Sequence, residues 1–169
     1  MLGPFFPVVV AILLLTGALG LGVLVRYLFV TSPDQAAVNR APRIADTTFE
    51  RAAVGVCKGY VRIFDTATTL SKQPSQAQAG SFLEAIATSF DQMVVQLRAL
   101  PVAPADQTNV SQWLMDWQTY DAYGHRYAAA VSAGTERDLV AHDKNTVDGL
   151  LRRRNGFAKA NHMSTCAFN

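Results

Sequence analysis

Residues 110–131 read VSQWLMDWQTYDAYGHRYAAAV, and their spacing sets the fold class. Val110, Trp113, Trp117, Tyr120, Tyr123, Tyr127 and Val131 recur at intervals of three and four. That repeat keeps side chains on one face of an α-helix, whereas a half-buried strand needs strict alternation. The segment begins near Asp106 to Asn109, after the Pro-rich turn Pro101-Val102-Ala103-Pro104-Ala105-Asp106, and runs to about Ala133. Gly134 suits a left-handed C-terminal cap. Gly124 falls mid-helix, where it costs helicity and marks either a close helix contact or a bend.

The same period extends outward in both directions. Upstream, Leu83, Ile86, Phe90, Met93, Leu97 and Leu100 form a stripe on a helix expected from about Gln76 to Leu100. Before it, Phe49, Ala53, Val56, Tyr60, Phe64 and Ala67 mark another helix. That helix starts near Asp46 or Thr47, with Glu50 spaced to complete a capping box from Thr47, and Ser71 to Ser75 ends the segment. Downstream, Glu136 to Asp143 reads as a short polar linker with room for a helical turn. A fourth helix is expected after it, through Val147, Leu150, Leu151, Phe157, Ala160 and Met163. Four amphipathic helices with short connections fit an antiparallel four-helix bundle over 46–169.

The N-terminal region has a different character. Phe5 to Val30, FFPVVVAILLLTGALGLGVLVRYLFV, holds no acid and one base, Arg26. About 26 such residues make roughly 39 Å of helix, enough for a hydrocarbon core of about 30 Å. A cleaved signal peptide would show a basic leader and a shorter apolar run, and about 26 nearly uncharged residues is long for a buried core helix. The expectation is a retained transmembrane anchor over 1–30, and TSPDQAAVNRAPRIA, 31–45, reads as a linker. Gly17, Gly20 and Gly22 offer a face for membrane-helix packing.

Orientation signals conflict. Arg26, Arg40 and Arg43 follow the apolar run and favour a cytoplasmic C-terminal domain by the positive-inside rule. Cys57 and Cys166, the only two cysteines, bracket the bundle and fit a disulfide in an oxidising compartment, against the alternative of two buried thiols. The cysteine argument sets the expectation: a single-pass plasma-membrane protein with an extracytoplasmic C-terminal domain.

Catalytic and cofactor motifs are missing from the pattern. His125, His142 and His162 form no HExxH or other short metal spacing, two distant cysteines are a poor zinc set, and no Glu-x-x-His unit is present. Glu84 and Asp91 lie seven apart, and Asp116 and Asp121 flank the aromatic face; their expected role is helix pairing and solubility. The sequence therefore predicts no catalytic residue, no metal site and no cofactor. Trp113 and Trp117 suit core packing, with an edge available as a protein interface. Arg152, Arg153 and Arg154 form the densest basic run and a candidate contact for anions, although consecutive helical residues lie about 100° apart. A formal charge of only +2 gives no reason to expect nucleic-acid binding. Asn109-Val110-Ser111 matches a glycosylation acceptor, a weak three-residue signal.

The N-terminal span, the PxxP turn at Pro101–Pro104, the WLMDW helix at Trp113–Trp117 and the closing NHMSTC at Asn161–Cys166 together resemble small actinobacterial membrane-anchored extracytoplasmic proteins. The resemblance covers most of the chain and carries no diagnostic catalytic motif. It implies a non-enzymatic accessory subunit of an integral membrane complex, such as a respiratory supercomplex, in contact with membrane lipids. A membrane-tethered binding or sensor domain for a peptide, lipid or small molecule is the alternative.

Overall fold

The computed structural model describes residues 35–67 and 75–168, with side chains described outside 62–67. These residues form an all-α fold of five helices: α1 Gln35–Arg40, α2 Thr47–Ala67, α3 Gln76–Arg98, α4 Gln107–Ala133 and α5 Glu136–Ala160. Short 3-10 turns occupy Pro104–Asp106 and Ser164–Cys166.

Helix ends follow local chemistry. Asp46 starts α2, its Oδ1 accepting from the N–H groups of Thr48 and Phe49 at 3.0 Å each. Asp46 is thus the cap, in place of the expected Thr47–Glu50 box. Its Oδ2 accepts from Ala103 N, while Asp106 Oδ2 accepts from the N–H groups of Ala45 and Asp46. These exchanges tie the α2 start to the Pro-rich turn. Ser75 and Gln78 form a capping box on α3. Gly134 closes α4 with φ at 72°, as its position in the sequence suggests.

The expected stripes face inward. All seven named positions of the α4 stripe are buried, as are Leu83, Ile86, Phe90, Met93 and Leu97 of α3. Contacts along α3 and α4 descend in register. Gly80 meets Ser132, Glu84 meets His125, and Phe90 meets Tyr120 and Trp117. That order makes the pair antiparallel, and it is the most extensive helix contact in the domain. A Cβ at Gly80 would lie 2.9 Å from the Ala128 carbonyl oxygen and collide with Ser132, so glycine permits this approach. The α4–α5 pair is antiparallel too, with Arg126 against Asp143 and Asp116 against Arg153.

The core is aromatic where the four long helices converge. Trp113 stacks on Phe157 at 5.4 Å and meets Phe49 edge-on at 6.4 Å. Trp117 packs on Phe90 at 5.3 Å and Phe168 at 5.5 Å. Among the described residues, α2 and α5 do not pack directly on each other; the Ser164–Cys166 turn contacts both. The Cys57–Cys166 disulfide, with Cα atoms 5.2 Å apart, holds that turn in place.

Two connecting stretches differ from the sequence reading. The segment read as a polar linker after Gly134 is already helical from Glu136. Acids at 136 and 138 favour the positive end of the helix dipole, a signal that apolar spacing does not register. The 31–45 stretch contains α1, which packs on α5. Its exit is clipped by Asn161: Ile44 N donates to Asn161 Oδ1 at 2.9 Å, and Asn161 Nδ2 donates to the carbonyls of Pro42 and Phe157.

The membrane expectations are corrected. Among the described residues, no helix is long and apolar enough to cross a membrane. Each long helix carries charged side chains along its length, which a hydrocarbon core would penalise. The Phe5–Val30 run, with Gly17, Gly20 and Gly22, lies outside the described residues. The described residues thus supply an all-α helical domain and no spanning helix. It gives no support to a transmembrane single-pass architecture at the plasma membrane, to an extracytoplasmic placement, or to a role as accessory subunit or tethered sensor. Integral membrane complexes, a respiratory supercomplex and lipids are dropped as partners on the same ground.

Candidate cation site at the α3–α4 seam

Two helical repeats converge on one side of the α3–α4 pair. Glu84 and Asp91 are two turns apart on α3, and Asp121 and His125 one turn apart on α4, so each pair shares a face. The antiparallel register sets the pairs opposite each other. His125 Nδ1 lies 2.8 Å from Glu84 Oε1, and its Nε2 lies 3.1 Å from Asp91 Oδ2. Asp91 and Asp121 are hydrogen-bonded to each other. One ligand atom from each of Asp91, Asp121 and His125 falls within 4.8 Å of the other two.

Burial differs sharply across the cluster. The side chains of Glu84 and Asp91 are 52% and 61% exposed and form a mouth open to solvent. Asp121 is 3% exposed and forms the floor. Its Oδ1 is buried without a hydrogen-bond partner.

The charges are coupled. Burial pushes the Asp121 carboxyl up to about 8, helped by the hydrogen bond to Asp91 and by the charges of Asp91 and Glu84. Asp91 falls below its ordinary value, chiefly because Asp121 donates to it. Burial acts against the His125 imidazolium, but hydrogen bonds to Asp91 and Glu84 outweigh it and the net shift is upward. At neutral pH the Asp121 carboxyl therefore keeps its proton and shares it with Asp91.

The other sequence candidates go elsewhere. Trp113 and Trp117 are 2% and 0% exposed, deep in the core, and present no face to a partner. The three arginines separate. Arg152 is exposed, and Arg153 makes a two-pronged pair with Asp116 at 2.8 and 3.1 Å. Arg154 is buried with its guanidinium 3.8 Å from the Trp117 ring centre and 4.4 Å from that of Tyr120. Burial draws its pKa down to about 10, which leaves it charged at neutral pH. No joint basic patch results. His142 is exposed on α5 and His162 beyond its end, away from the seam.

The sequence reading gave the three histidines no common site and the acids only a pairing role. The usable signal was the combination of Glu84–Asp91 at seven with Asp121–His125 at four. Nothing in one dimension states that the two faces meet.

Comparison with family models, curated proteins and solved structures finds no match. The likeness to small actinobacterial membrane-anchored proteins therefore finds no support in these comparisons, and it is corrected together with the absence of a spanning helix among the described residues.

Proposed function

We propose that the chain is a non-enzymatic binding domain that takes up a cation at the α3–α4 seam. The observation that carries this reading is the Asp121 carboxyl. It is buried at the foot of an open, acid-lined mouth, and one of its oxygens has no partner. A buried polar atom without a partner costs about 1–3 kcal/mol, and a bound cation would remove that cost. The neighbouring cationic side chains are engaged elsewhere, Arg126 with Asp143 at 3.0 Å and Arg153 with Asp116.

A binding role is favoured over catalysis because both ring nitrogens of His125 already face carboxylates, and both cysteines are joined in the disulfide. Neither a nucleophile nor a free base is thereby set up at the seam.

Calorimetric titration of the chelator-treated full chain with zinc, calcium, magnesium and methylammonium tests the reading. At least one cation should saturate a single site, with affinity reduced about tenfold or more by Asp121→Asn, as for loss of a ligand or its support. Failure of all four to bind, or binding indifferent to Asp121→Asn, would refute it.

A further inference from the structure

We propose that the cation is a transition-metal dication of the zinc class, bound by Asp91, Asp121 and His125 Nε2, with Glu84 orienting the imidazole. This rests on the cation-binding reading above and adds the chemistry of the ligand.

Donor type decides the class. Calcium and magnesium favour six or more oxygen ligands, many of them carboxylate, carbonyl or water. Imidazole nitrogen beside carboxylate oxygen suits zinc, cobalt or nickel. The seam supplies one imidazole and two carboxylates as ligands, with a third carboxylate behind the ring.

The spacing is compatible with that class. Bonds of about 2.0–2.2 Å place the ligand atoms of a tetrahedral site about 3.3–3.6 Å apart. The three atoms already lie within 4.8 Å of one another, so a tetrahedral site needs the trio to close by up to about 1.3 Å. Asp91 can supply that movement because its side chain is 61% exposed. Asp121 cannot wander, since α3 and α4 bury it. Its Oδ1 is buried and accepts no hydrogen bond from a neighbouring N–H or hydroxyl group, a second observation beside the exposed acids.

Glu84 has a different role. It contacts Nδ1 at 2.8 Å, on the ring edge away from Asp91. Metal-binding histidines commonly donate the other N–H to a carboxylate, which fixes the tautomer and the ring orientation. Here that arrangement directs Nε2 toward Asp91. Three protein ligands leave a coordination position for water.

The test is a cobalt(II) titration of the chelator-treated, disulfide-intact full chain. One equivalent should produce visible d–d absorption, removed by zinc and unaffected by excess calcium or magnesium. His125→Ala and Asp91→Asn should abolish the signal, and Glu84→Gln should weaken binding about 10–100-fold while preserving the spectrum. Nitrogen-15 NMR of the wild-type imidazoles with zinc should show His125 Nε2 metallated, a readout independent of variant folding. Calcium or magnesium binding that depends on Asp121, with no zinc or cobalt binding, would overturn the metal class and leave the cation reading standing. Metallation at Nδ1 would overturn the role of Glu84. Absence of binding by every cation would overturn both readings.

Discussion

Removing the Cys57–Cys166 bridge should destabilise the domain by about 5 kcal/mol. The cysteines are 109 residues apart in sequence, and the loop between them holds the C-terminal half of α2 and the whole of α3, α4 and α5. In the chain-entropy account, releasing a loop of that size returns about 16 cal/mol/K to the unfolded chain, or about 5 kcal/mol at room temperature. A domain of this size typically has about 5–15 kcal/mol in total, so the variant should be marginal. The midpoint of thermal unfolding should fall by about 15 °C. Urea unfolding can be followed by the fluorescence of Trp113 and Trp117, both buried. The Cys57→Ala/Cys166→Ala double variant should be compared with reduced wild type, which keeps both sulfurs. Both should lose similar stability and show a steeper denaturant dependence, because an uncrosslinked unfolded chain exposes more surface. A loss below about 1 kcal/mol in both would refute the restraint argument. A large loss in the alanine variant alone would assign the effect to sulfur packing.

Asn161→Ala should cost about 3 kcal/mol in urea unfolding, because it orphans the N–H of Ile44 and removes donors from the carbonyls of Pro42 and Phe157; Asn161→Asp, which keeps the acceptor, should recover part of that loss. Metal-free protein should become less stable as pH rises from about 4 to about 8. Asp121 has a native pKa of about 8, above its ordinary 3.8, so the folded state holds a proton that the unfolded state has released across that window. His125, also raised, adds loss in the same direction above its ordinary 6.5, whereas Asp46 and Asp91, both lowered, add stability only as pH rises through the acid range below about 4. Melting temperature measured against pH in chelator should show the decline, and Asp121→Asn should flatten it; an unchanged slope would refute the assignment.

Much of the scaffold was legible in the residues. The stripe from Val110 to Val131 fixed α4, and Gly134 fixed its end, because three- and four-residue spacing and a left-handed cap are properties of a single helix. The α3 start at Gln76 was legible for the same reason. The α5 start was not: Glu136 to Val140 carries little apolar periodicity and is held by dipole-favouring acids and by packing on α4. The 31–45 stretch looked like a linker because its six-residue helix and the Asn161 clip depend on partners more than a hundred residues away.

By itself the sequence determined an all-α chain, the inward face of each long helix, and a cysteine pair able to close the domain. Tertiary structure decided which faces meet. It buried Trp113 and Trp117, split Arg153 from Arg154, and set Glu84 and Asp91 against Asp121 and His125. Helical periodicity specifies direction around one axis, whereas a site shared by two helices also needs their relative rotation and register. Those are set by packing, here by the close approach at Gly80 and the aromatic contacts of Phe90 with Trp117 and Tyr120.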